Sequence, residues 1–130
     1  MPPLVHDELC FGCGRANLFG LMLECSETGP GVVNGRGFIK QDHRGPERGS
    51  AHSGIVAAAL TEAMALAGGL NTVPLAVTVG FIDSAAVGEF LELSAAVEEH
   101  TEDGIQVTAS ARSEGRLVAR ARGTYADRAG

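Results

Sequence analysis

Tryptophan is missing from this chain, tyrosine occurs once, and ten lysines and arginines stand against sixteen acidic residues. A formal charge of -6 repels a phosphate backbone, so nucleic acid is excluded as an expected partner. No apolar run reaches the length of about eighteen residues that a membrane helix needs, and the start MPPLVHDELC lacks the basic and apolar regions of a secretion signal. A soluble, cytoplasmic protein with no membrane contact is therefore expected. Cysteine is scarce as well: Cys10, Cys13 and Cys25 form an odd set, better read as reduced thiols than as disulfides.

What is present is alanine, valine, leucine and eighteen glycines, in 130 residues of 45% hydrophobic content. That is the size of one domain, residues 1–130, with material for a core. GLMLECS (20 to 26) and GVVNGRGFIK (31 to 40) read as two strands around the turn ETGPG. QDHRGPERGSA has no periodicity and reads as a surface loop. Beyond residue 73, PLAVTVGFIDS, FLELSAAVEEH, GIQVTASAR and RLVARARGTYA alternate for part of their length. Short joints containing glycine separate them, which predicts successive strands pairing as a meander.

Between the two groups lies AHSGIVAAALTEAMALAGGL (51 to 70). From Ser53 to Leu70 its only charged side chain is Glu62. The run predicts a helix of roughly four turns, capped by Ser50 or Ser53 and stopped by Gly68 and Gly69. A helix apolar on nearly all sides must be enclosed, so the expected fold is α+β, a curved antiparallel sheet of about six strands around one central helix. Six strands of one small chain cover such a helix with difficulty, and a second copy is expected to complete the cover.

CFGCGRANLFGLML (10 to 23), HRG (43 to 45), HSG (52 to 54), LTEAM (60 to 64), VGE (87 to 89) and GRLVARARGTY (115 to 125) carry a resemblance across nearly the whole chain. As an ordered set they resemble the hotdog-fold thioesterase superfamily, in particular its phenylacetyl-CoA thioesterase-like branch of the 4-hydroxybenzoyl-CoA thioesterase type. The resemblance implies a hotdog fold and a homodimer or homotetramer. It also implies hydrolysis of acyl-CoA thioesters at sites between subunits, with coenzyme A entering only as part of the substrate. The family's His-Gly-Gly corresponds to His52, Ser53 and Gly54, and its Leu-Asp-Glu-Ala-Met to Leu60, Thr61, Glu62, Ala63 and Met64. The usual catalytic Asp is thus Thr61 here, and Glu62 matches the second acid.

Thioester hydrolysis needs a group that polarises the carbonyl and one that attacks it or activates water. Unpaired helix N-terminal amides near Ser53 and Gly54 supply the first, with His52 and His43 as further candidate substrate contacts. Thr61 lies two turns below Gly54, in the right place but with a poor base, whereas Glu62 is turned away from that line by roughly 80°. Thr61 and Glu62 together are the catalytic candidates. The rival reading is a hotdog domain that binds an acyl thioester or another hydrophobic small molecule without cleaving it; the acyl group stays open in both.

Three other motifs receive plainer readings. Cys10 and Cys13 could give zinc two ligands, but no second pair occurs, and Cys25 with His6 would complete a set only if the first strand met the N-terminal segment; no metal is expected. GPGVVNGRG (29 to 37) lacks the Lys-Ser or Lys-Thr end of a phosphate loop. Arg112, Arg116, Arg120 and Arg122 are expected on a solvated strand face, with Arg120 and Arg122 on the same side.

Overall fold

Alanine is the strongest helix former, and no proline interrupts SGIVAAALTEAMALAG. In the computed structural model, which describes residues 2–128, this run is α1, Ser53–Gly68. Its cap is His52 rather than Ser50 or Ser53: the His52 Nδ1 accepts the Gly54 N–H at 2.8 Å. Ser53 is already helical, and Ser50 is held in a bridge to Ala86. At the other end Gly69 takes a φ of 129°, closed to ordinary side chains, and Thr72 donates its hydroxyl to the Gly69 carbonyl at 2.8 Å.

Six strands surround the helix as expected: β1 (Glu24–Gly29), β2 (Val32–Phe38), β3 (Thr72–Phe81), β4 (Phe90–Thr101), β5 (Gly104–Ser113) and β6 (Arg116–Asp127). They form one antiparallel sheet in the order β1-β2-β4-β5-β6-β3. Two details depart from the sequence reading. The meander holds only for β4, β5 and β6, because β3 pairs with β6 and β2 takes the other side of β4. The connection 82–89 is therefore a crossing rather than a hairpin turn, tied to the pre-helix loop by Ala51 N–H to Ala85 O and Val87 N–H to Gly49 O.

The second departure lies at residues 20–23, which are not strand. Met22 sits at a φ of 48°, which interrupts extension. The amides of Leu21 and Leu23 turn instead to the Phe11 and Gly12 carbonyls. Residues 2–23 consequently run as an irregular segment against the helix, joined also to β1 by Leu4 N–H to Cys25 O at 2.7 Å.

Strand alternation sends Leu91, Leu93 and Ala95, then Ile105, Val107 and Ala109, toward the helix. Arg120 and Arg122 share the outer face, as expected, where Thr78, Thr108 and Ser110 join them around a shallow groove. Leu60, Ala63 and Met64 have no exposed surface even in the single chain, because the sheet and the N-terminal segment cover them together. Leu60→Ala is expected to lower unfolding free energy by about 2–5 kcal/mol in urea denaturation, the range for a sealed cavity. A loss below about 1 kcal/mol would show that the helix is not enclosed.

Candidate functional site

Helical spacing divides α1 into two working faces. Gly54, Ala57, Ala58 and Thr61 recur at the spacing of one stripe, and all four are half-buried or exposed. Alongside them the inward residues Val77 and Val79 of the edge strand β3 are also only half-buried. Ile55, Ala59 and Glu62 lie roughly 80–140° round the helix from Gly54, on the flank toward β2 and the N-terminal segment.

The first face begins at the exposed helix tip. His52, Ser53 and Gly54 are all exposed. The Gly54 amide is occupied by the His52 ring, and the Ile55 and Val56 amides by the His52 carbonyl, so of these four the Ser53 N–H is the donor with no partner among the described residues. His52 thus shapes the tip by capping it. Two turns down, the Thr61 hydroxyl donates to the Ala57 carbonyl at 2.8 Å, a back-bond that leaves its oxygen able only to accept from a water or substrate. The buried Tyr125 hydroxyl donates to the Thr61 carbonyl at 2.7 Å and fixes this turn against β6.

His43, a candidate substrate contact at the cleft opening or else a solvated residue of the surface loop, is buried, with 5% of its surface exposed. The 3-10 turn Gln41–His43 folds it inward: its Nδ1 accepts the Lys40 N–H at 3.2 Å, and the His52 N–H bonds its carbonyl. Its Nε2 has no hydrogen-bond partner within 3.5 Å among the described residues, although the Phe19 backbone is near enough to favour the charged ring. It lines a slit with Leu21, Leu23, Ile39, Ile55 and Ala59 whose volume of about 10 Å³ admits one water and no acyl group. Burial, with the nearby Lys40 charge, holds the His43 pKa below its ordinary 6.5, although Asp42 and the Phe19 carbonyl act the other way.

Glu62 does not join Thr61. Its Oε2 accepts from the His6 Nδ1 at 2.8 Å and from the Cys10 thiol at 3.5 Å. A Cβ on Gly12 would fall inside the Glu62 carboxyl group, so glycine alone lets the CFGCG turn settle on it. Burial pushes the Glu62 pKa up, but the His6, Cys13 and Cys10 bonds together with the His6 charge outweigh it, and the net direction is down. The Glu62 bond raises the His6 pKa in turn, against its burial, so both partners favour the ion pair. Cys13 is sealed, its sulfur accepting the His6 N–H at 3.1 Å and lying 3.4 Å from the His6 Nδ1. All three cysteines are unbridged.

Sequence reasoning placed the tip residues and Thr61 on one stripe but missed the destination of Glu62. It also paired His6 and the two cysteines with Cys25, where the structure brings Glu62. The available signal was Gly12 between the cysteines, a close approach without a named partner.

No family model matches the chain, and no curated protein sequence does. Solved structures do. The phenylacetic acid degradation protein PaaI of Thermus thermophilus, solved in a mutant form, is similar at 27% identity over 81% of this chain and 92% of that one, with a TM-score of 0.73. A hypothetical thioesterase of Streptococcus pneumoniae, solved with coenzyme A, aligns at 16% identity over 82% and 88%, with a TM-score of 0.72. A thioesterase superfamily protein reaches a TM-score of 0.77 at 18% identity over 85% of this chain, which spans 58% of that longer protein. The class these likenesses define is one of fold: a six-stranded antiparallel sheet around one central helix, consistent with the hotdog fold, similar at low identity to a phenylacetic acid degradation protein. Among the described residues no helix is long and apolar enough to cross a membrane.

Because the folded-state pKa of His43 lies below its unfolded value, its contribution to stability is full above pH 6.5 and is lost as pH falls through the lowered value. Urea unfolding from neutral to mildly acidic pH is expected to weaken the wild type more steeply than His43→Gln. Parallel loss in both would show that His43 charges freely in the folded chain.

Proposed function

We propose that this chain is a hotdog thioesterase that hydrolyses acyl-CoA or a related acyl thioester at a seam between two copies of itself. The observation that carries the reading is the exposed tip of α1, where the free Ser53 amide heads a half-open apolar stripe ending two turns later at Thr61. An N–H at a helix N-terminus stabilises the negative charge that develops on a thioester carbonyl oxygen during attack. His52 holds that tip in shape, and Ser53 and Gly54 border the carbonyl. The Thr61 oxygen, its proton committed to Ala57, accepts a hydrogen bond from the attacking water and places it. His43 acts from behind, its backbone carbonyl accepting the His52 N–H and so joining the pre-helix loop to the tip.

The second copy follows from the same stripe. The slit beside Ile55 is too small for an acyl group, so the acyl chain needs the open side of α1. That side is continuous with β3, which is an edge of the sheet and carries exposed Leu75 and Phe81, with exposed Ile82 just beyond its end. Unpaired edge groups beside apolar surface invite a partner strand, and a homodimer formed there would roof the stripe. The coenzyme A seen with the pneumococcal protein agrees with an acyl-CoA substrate for this fold.

In this reading Glu62, the only carboxylate of the helix, is an anchor of the N-terminal segment rather than the base. One observation favours a second reading, binding without hydrolysis: the position of the usual Asp holds a back-bonded Thr, and the neighbouring acid is engaged elsewhere. A panel of acyl-CoAs separates the two. Thiol release above background on at least one member is expected, with turnover raised by at least about tenfold in Thr61→Asp, since a positioned base contributes about 10²–10⁴-fold. Intact ligand recovered from a stoichiometric complex, with no gain in Thr61→Asp, would establish the binding domain instead. A one-chain mass by light scattering would remove the seam.

A further inference from the structure

The groups gathered on Glu62 make a donor set of their own. His6, Cys10, Cys13 and Glu62 each offer one ligand atom, and these four atoms lie within 4.8 Å of one another. A tetrahedral zinc ion with bonds of about 2.3 Å to sulfur and about 2.0–2.2 Å to nitrogen or oxygen sets its ligands roughly 3.3–3.8 Å apart. The cluster already approaches this spacing: Cys13 Sγ to His6 Nδ1 is 3.4 Å, Cys10 Sγ to Glu62 Oε2 is 3.5 Å, and Cys10 Sγ to His6 Nδ1 is 3.9 Å. His6 Nδ1 to Glu62 Oε2, at 2.8 Å, is shorter, the separation of a hydrogen bond rather than of two zinc ligands.

Three further features fit a metal better than a chance cluster. The backbone N–H of His6 points at the Cys13 sulfur at 3.1 Å, a bond that strengthens when the sulfur is a thiolate, and such outer bonds are what orient metal-bound cysteines. The two cysteines sit on consecutive tight turns, with Cys10 N–H bonded to Asp7 O and Gly14 N–H to Cys10 O, so both sulfurs are aimed before any ion arrives. The donors also join an irregular segment to the helix across fifty-two residues, from Cys10 to Glu62, adding to the Leu4–Cys25 backbone bond and the burial of Leu21 and Leu23 a direct tie between residues 2–23 and the helix.

We propose that His6, Cys10, Cys13 and Glu62 bind one zinc ion, a four-ligand structural clamp that fastens the N-terminal segment to the central helix. Two thiolates with an imidazole and a carboxylate suit zinc among the divalent ions, and four protein donors leave no open position for catalysis. On binding, the ion replaces the protons of the two thiols and of the His6 Nδ1, and these pass to solvent. The sequence reading set zinc aside because no second cysteine pair occurs and Cys25 with His6 would complete a set only if the first strand met the N-terminal segment; the structure groups Glu62 of the helix with His6 and the pair instead.

The test uses the full chain. Plasma mass spectrometry of protein purified without added metal is expected to find about one zinc per chain. Cobalt added to the stripped protein is expected to give visible d–d bands of tetrahedral intensity and a thiolate-to-cobalt charge-transfer band. Both signals are expected to be lost in Cys10→Ser, whose side chain is only half-buried, and shifted in Glu62→Gln. A strong chelator is expected to lower the melting temperature of the wild type but not of Cys10→Ser. Should Cys10→Ser fail to fold, His6→Asn provides the same comparison. Stripped wild-type protein that develops no tetrahedral cobalt spectrum, or zinc content unchanged in the Cys10 and His6 variants, overturns the clamp.

Discussion

A single carboxylate organises the less regular half of this molecule. Glu62 projects from an otherwise apolar helix, and an isolated charge there would be expensive to bury. The chain meets it with the imidazole of His6, the thiol of Cys10 and the bare backbone of Gly12, so that residues 2–23 are folded onto the helix by the group that most needs covering. Breaking one side leaves the other stranded. With this flank covered by the N-terminal segment, the helix keeps a half-open stripe along Gly54, Ala57, Ala58 and Thr61.

That division separates anchoring from chemistry. The free amide at the tip and the Thr61 oxygen lie on the open side, while the acid that would have made a strong base lies on the closed side. A hotdog helix normally presents an acid where Thr61 stands, by the resemblance its LTEAM run carries. In this chain the available carboxylate is engaged by His6 and Cys10, and under the proposed hydrolysis turnover would rest on carbonyl polarisation and a placed water. The leaving group of a thioester is a good one, which makes that sparse arrangement chemically coherent.

Much of the architecture is legible in the residues. The helix shows because Ala, Leu and Met fill every face between Ser53 and Gly68, and the strands β4, β5 and β6 show because their alternation is regular and their joints short. Strand order was less legible: nothing in TVPLAVTVGF says that it pairs with β6 rather than β4, since that depends on how the crossing 82–89 packs beside the pre-helix loop. The cap was misread because Ser outranks His as a helix cap in general, whereas here the His52 ring reaches the Gly54 amide first. His43 was misread because a polar loop usually faces water, and only the inward 3-10 turn reveals otherwise. The Glu62 cluster joins residues 6 to 13 with residue 62, and no local period encodes such a meeting.

Whether Glu62 holds the N-terminal segment in place can be read directly by native-state amide exchange. The Leu21 and Leu23 amides, bonded to the Phe11 and Gly12 carbonyls, report on that segment, while the amides of β4, β5 and β6 report on the rest of the fold. In Glu62→Gln, much faster exchange is expected at Leu21 and Leu23 with the central strands still protected. Equal protection of all these amides in variant and wild type would contradict the anchoring role of Glu62.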